Sequence, residues 1–168
     1  KCNDFMETKK VDIGILTIVD EEARAIINGF STNKENPLFI NERYYDEGTF
    51  NVGEKCISII HHQCPKQGHV SIALEFSEMQ KLFNPSYMIL LGIAGSIQNK
   101  IDLCDVVICN DVLHYEPRKE SNDGMIERRL EHFSVSLAMN NHITRFRMLH
   151  DKPFNASSDS IQNTFNLH

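Results

Sequence analysis

Four groups of residues in this 168-residue chain have the types and spacing to do chemistry. Asp20-Glu21-Glu22 places three carboxylates in a row directly after the apolar run Val11 to Val19. Gly92-Ile93-Ala94-Gly95 follows the apolar stretch Tyr87 to Leu91, and glycines at a strand end let another group approach the backbone. His61-His62-Gln63-Cys64 offers nitrogen and sulfur ligands. His114-Tyr115-Glu116 precedes a small basic group of Arg118, Lys119, Arg128 and Arg129.

Several chemistries fail on spacing. A dinucleotide turn would need a third glycine, and the nine residues between Gly95 and Asp105 cannot hold the roughly 10 to 12 residue crossover of a parallel βαβ unit. No Gly-Lys-Ser/Thr follows, which excludes a Walker-type phosphate loop. His-His-x-Cys lacks a second ligand pair at metal-site spacing, so neither metal nor cofactor is expected. Cys104 and Cys109 have no nearby histidine pattern that would mark a nucleophile. The three carboxylates, on their own, read as acids in the first turn of a helix, where the macrodipole favours anions.

The elements that must position these groups follow from patterning. Val11 to Val19 is a β-branched run with few polar breaks, which predicts a central strand buried on both faces. Asp20 is expected to cap the helix that follows, with Ala23, Ile26, Ile27 and Phe30 on its inner face. Arg43 to Phe50 and Lys55 to His62 predict a hairpin closed by the four residues Asn51-Val52-Gly53-Glu54. A helix from Gly68 carries Ile72, Ala73, Phe76, Met79 and Phe83 on one side and stops at Asn84-Pro85. Tyr87 to Gly92 and Asp105 to Val112 predict two more buried strands, the second enclosing Cys109, and Leu130, Phe133 and Leu137 suggest a helix within 129–149. Strands alternating with helices give an α/β domain whose sheet is mixed, since the hairpin adds antiparallel neighbours.

Bulk properties narrow the function classes. Hydrophobic residues are 41% and charged residues 24% of the chain, with a net charge of -6. Such a negative field repels a polyphosphate backbone, so nucleic acid is not an expected partner. No apolar run reaches the ~18 to 20 residues of a membrane span. Five cysteines, an odd number, fit a reducing cytoplasmic setting. The lysine start and the polar stretch 151–168 read as trimmed or internal boundaries, leaving 11–150 as the domain.

Taken in order, DIGILTIV with DEE, LLGIAGSI, DVVICNDV and HYEPRKE resemble the N-terminal two thirds of the nucleoside phosphorylase and nucleosidase superfamily. The branch most similar in appearance is the methylthioadenosine/S-adenosylhomocysteine nucleosidases and related nucleosidase-like domains of signalling and defence proteins. The resemblance implies a three-layer α/β fold, a mixed central sheet flanked by helices. It also implies that Glu22 holds the attacking water, and that Val19, Gly92, Ile93, Ala94 and Gly95 line ribose and base. Glu116 is a further site candidate, and the basic group after it could meet phosphates of a nucleotide substrate. Phosphorylases of the superfamily place an arginine two residues before the first glycine and a threonine or serine after it. Leu90 and Ile93 stand there and cannot bind an anion, which favours water over phosphate as nucleophile. The leaving-group acid and the ribose-binding glutamate of the family have no matching motif in 130–168. The expected function is therefore purine nucleoside or nucleotide N-ribosidase, with phosphorolysis or an inactive nucleoside-binding module as alternatives. Homodimers or larger assemblies are common in such relatives.

Overall fold

The computed structural model describes residues 10–32, 35–95, 102–114, 118–120, 126–128 and 131–149. Its contacts divide the chain into two units, 1–95 and 96–168. The first contains β1 (Ile13–Thr17), α1 (Asp20–Gly29), β2 (Ser31–Thr32), β3 (Leu38–Ile40), β4 (Arg43–Val52), β5 (Lys55–Gln63), α2 (His69–Phe83) and β6 (Tyr87–Leu90). The second contains β7 (Asp111–His114), β8 (Arg118–Glu120), β9 (Ile126–Arg128), β10 (Glu131–Ser134) and α3 (Leu137–Leu149).

The first unit is built on a mixed six-stranded sheet in the order β2-β4-β5-β1-β6, with β3 also paired to β4. β1 is central, parallel to β5 on one side and to β6 on the other. Its alternation sends Ile15 to one face, with Ile59 of β5 and Ile26 of α1, and Leu16 to the other, with Ile60 of β5 and Met79 and Phe83 of α2. A helix therefore covers each face, which is why the β1 sequence is apolar at consecutive positions. This is the three-layer arrangement expected from the sequence.

Gly14 of β1 lies under α2. A Cβ there would sit 2.5 Å from Met88 Sδ, 2.8 Å from Met79 Sδ and 3.2 Å from Pro85 Cγ. The thioethers can swing away but the proline ring cannot, so Gly14→Ala is expected to cost about 1 to 3 kcal/mol, read from the urea midpoint.

Local details differ from the sequence expectation for identifiable reasons. The hairpin is tighter, because Val52 pairs with Lys55 and leaves Gly53, at φ +59°, and Glu54 as the turn. The N-cap of α1 is Val19, and Asp20 is already helical. α2 buries Glu75, Met79 and Phe83, and leaves Phe76 44% exposed. Glu75 displaces Phe76 from the inner face because Arg43 and His62 wait there as partners. The helix ends as expected, with Asn84 in the left-handed conformation before Pro85.

In the second unit, β7 pairs with β10 and β8 with β9, each antiparallel. The buried strand expected over Asp105 to Val112 is corrected: only Asp111 and Val112 join a strand, and Val106 is 85% exposed. Cys109 is exposed too. A β-branched run becomes a buried strand only where ladder partners and covering layers meet it, and 105–110 have no ladder partner among the described residues. Phe133, expected in a helix, lies in β10, and α3 starts at Leu137.

Candidate active site

The C-terminal end of β1 runs straight into α1, so the first turn of the helix lies at the end of the central strand. Glu22 is the third residue of that helix and is only 6% exposed. Its Oε2 accepts hydrogen bonds from the backbone N–H of Ile18 at 2.8 Å and of Val19 at 3.0 Å. Glu22 is the N3 residue of the helix and reaches back to the N–H of the N-cap, Val19, and of Ile18 before it, as the acid of a capping box does, while the Val19 side chain offers the first-turn amides no acceptor. Its other oxygen, Oε1, accepts from the N–H of Ile93 at 2.8 Å, in the small-residue turn after β6.

Burial alone would raise the Glu22 pKa, but the hydrogen bonds from Ile18, Ile93 and Val19 outweigh it and hold the pKa below its ordinary value. The carboxylate is anionic at neutral pH. Glu22 and the turn after β6 are in direct hydrogen-bonded contact. Gly92 is packed against the same carboxylate, where a Cβ would come within 3.2 Å of Oε1. Because Oε2 is pinned by two amides, Gly92→Ala is expected to stretch the Ile93 bond. The loss should be about 1 kcal/mol, with an upfield shift of the Ile93 amide proton in NMR spectra.

A cleft of about 350 Å³ is lined by Ile18, Val19, Asp20, Glu21, Cys64, Pro65, Lys66 and Gln67, and neither Glu22 nor the turn of residues 92–95 is part of that lining. Val19 is the sequence-chosen residue that lines it. Ala94 and Gly95 are exposed. Glu116, Arg129 and the side chains of Arg118, Lys119 and Arg128 lie outside the described residues. Burial pushes the Cys64 thiol up to about 11, so it faces the cleft as a neutral group and not as a thiolate.

The two histidines do not gather a metal set; no group of three or more ligating side chains that could hold an ion occurs among the described residues. They point to opposite faces of β5. His61 joins Thr17 and Asp46 on the α1 face, and His62 joins Glu75 and the Tyr44 carbonyl on the α2 face. Sequence reasoning missed Thr17, Asp46, Gln63 and the backbone donors. The backbone donors carry no side-chain signal at all, whereas Thr17 and His61 could have been noticed as polar residues in otherwise apolar strands.

A family model described as the phosphorylase superfamily matches residues 12–146. The chain belongs to the phosphorylase superfamily. Solved structures with the same fold include the 5'-methylthioadenosine/S-adenosyl homocysteine nucleosidase of Helicobacter pylori, at a TM-score of 0.62 and 18% identity. That match covers 86% of this chain and 62% of the nucleosidase. The futalosine hydrolase of Helicobacter pylori is similar at a TM-score of 0.61 and 18% identity, covering 87% of this chain and 60% of the hydrolase. No curated protein matches the chain. This superfamily chain therefore spans under two thirds of the length of either solved structure. No helix among its described residues is long and apolar enough to cross a membrane.

Proposed function

We propose that this chain carries the water-holding part of a hydrolytic purine N-ribosidase acting on a nucleoside or nucleotide. The observation that carries the reading is the buried, anionic Glu22, held by three backbone amides at the junction of the central strand and the Gly92 turn. An oriented carboxylate can align or deprotonate water for attack on a sugar C1' as oxocarbenium character develops. Val19, Gly92, Ile93, Ala94 and Gly95 are the residues proposed to line ribose and base. The named functions of the two similar solved proteins, a nucleosidase and a hydrolase, support hydrolysis. So does the cleft, where Asp20 and Glu21 set two carboxylates against the single ammonium of Lys66 and oppose entry of phosphate. Free thiols at Cys56, Cys64, Cys104 and Cys109 support a reducing, cytoplasmic setting.

Incubating the full-length natural protein with adenosine-type nucleosides and nucleotides, with and without phosphate, tests the proposal. Release of free base without phosphate is the expected result. Release that strictly needs phosphate would replace hydrolysis by phosphorolysis. One observation favours a second reading, a nucleoside-binding module without catalysis: both Glu22 oxygens already serve the fold. Saturable binding of a purine ligand with no base released would establish that alternative.

A further inference from the structure

Each peptide group is planar and trans, so its C=O and N–H point in opposite directions, and fixing one fixes the other. The N–H groups of Ile18 and Val19, which hold Glu22 Oε2, share peptide planes with the carbonyls of Thr17 and Ile18. Both carbonyls are held by the end of β5. Thr17 O accepts from Cys64 N–H at 2.8 Å, and Ile18 O accepts from Gln63 Nε2 at 3.2 Å. The same Gln63 amide donates to Asp20 Oδ1 at 2.8 Å, so both of its contacts are acceptors and the nitrogen must face them.

The Thr17 side chain is fastened separately. Its hydroxyl lies 2.9 Å from His61 Nε2, and His61 Nδ1 lies 3.0 Å from Asp46 Oδ2. With hydrogen on Nδ1, the ring donates to Asp46 and accepts from Thr17, so β4, β5 and β1 are bridged in a line. Hydroxyl, imidazole and carboxylate in that order match a nucleophile relay, but Thr17 is fully buried and no substrate can reach it.

We propose that Gln63 and the Asp46-His61-Thr17 relay are positioning residues for Glu22: Gln63 holds the Ile18 carbonyl, and the relay anchors the side chain of Thr17, whose carbonyl Cys64 N–H holds, so that the two peptide planes whose N–H groups aim the carboxylate stay fixed. The proposal rests on the reading of Glu22 as the water-holding group for its catalytic consequence, but its geometric content can be tested without turnover. Residues on β4 and β5 would thereby set the basicity and orientation of a carboxylate on α1.

The test compares Gln63→Leu, Thr17→Val and Thr17→Ser with the parent full-length protein. Gln63 is only partly buried, so its variant should fold, and Thr17→Val keeps the β-branched shape while leaving the His61 contact with Asp46 in place. Titration of Glu22 is followed through the pH dependence of the Ile18, Val19 and Ile93 amide shifts. Expected results are an upward move of that midpoint in Gln63→Leu and Thr17→Val, and amide exchange at Ile18 and Val19 faster by about tenfold. Near-parental behaviour is expected in Thr17→Ser. Where base release is found, kcat should fall about tenfold with little change in KM. Lower thermal stability with an unchanged Glu22 midpoint in both variants would overturn the proposal and leave the residues purely structural. A moved midpoint in a parent protein that releases no base would sustain the positioning role and sink the ribosidase reading instead.

Discussion

Glu22→Gln is expected to reduce base release by about a hundredfold or more, the scale on which removal of a positioned proton acceptor acts. Glutamine is nearly the same size, but it replaces one acceptor oxygen with an NH₂ donor. In either amide orientation that donor faces N–H groups, the Ile18 and Val19 pair or Ile93. At least one buried hydrogen bond is therefore lost, and the folded state should weaken by about 1.5 to 3 kcal/mol.

The acid limb of stability gives a second readout of the same substitution. The Glu22 pKa is lower in the folded chain than its ordinary value of 4.5, so the unfolded chain binds the extra proton first as pH falls. The stabilisation is complete above the ordinary value and is lost as pH drops through the lower, folded-state pKa. Urea midpoints measured from about pH 7 to pH 3 should decline less steeply in Glu22→Gln than in the parent. Parallel declines would mean that Glu22 is not held as an anion by the fold.

Glu75→Ala should be the most destabilising single change, at about 3 kcal/mol, read from the thermal or urea midpoint. Glu75 lies on the buried face of α2, where Oε2 contacts Arg43 Nε at 2.5 Å and His62 Nε2 at 3.1 Å. Removing it leaves the Arg43 guanidinium and the His62 imidazole under a helix without the carboxylate that both contact. Arg43 is partly exposed and can turn toward water, which places the cost at the lower end of the range for a broken buried pair. Apolar replacement of all three residues, with Glu75→Leu, Arg43→Met and His62→Phe together, should recover most of the loss. A sum of independent single losses in the triple variant would show that the three do not act as one network.

Apolar patterning was enough to specify the central layer. Val11 to Val19 has no polar face, so it can only be a strand covered on both sides, and the Asn84-Pro85 stop and the mixed sheet follow from equally local chemistry. The order of motifs was enough for the superfamily. Patterning failed where a partner distant in sequence decided the outcome. Phe76 is more apolar than Glu75, yet α2 turns the acid inward because Arg43 and His62 compensate its charge. Val106 and its neighbours have strand propensity, but propensity creates no ladder partner.

The site divides in the same way. The type and place of Glu22 in the chain were legible, since a carboxylate in a first helical turn is a local feature. Its state was not. What makes it a buried anion is the approach of the Ile93 amide from 71 residues away and the fixing of two peptide planes by β5. Residue 93 matters through its N–H, which nearly every amino acid supplies, so no side chain in the sequence could have announced it. Sequence placed the carboxylate, and tertiary structure chose its protonation and aim, because backbone donors acquire direction only once the strands that carry them are packed together.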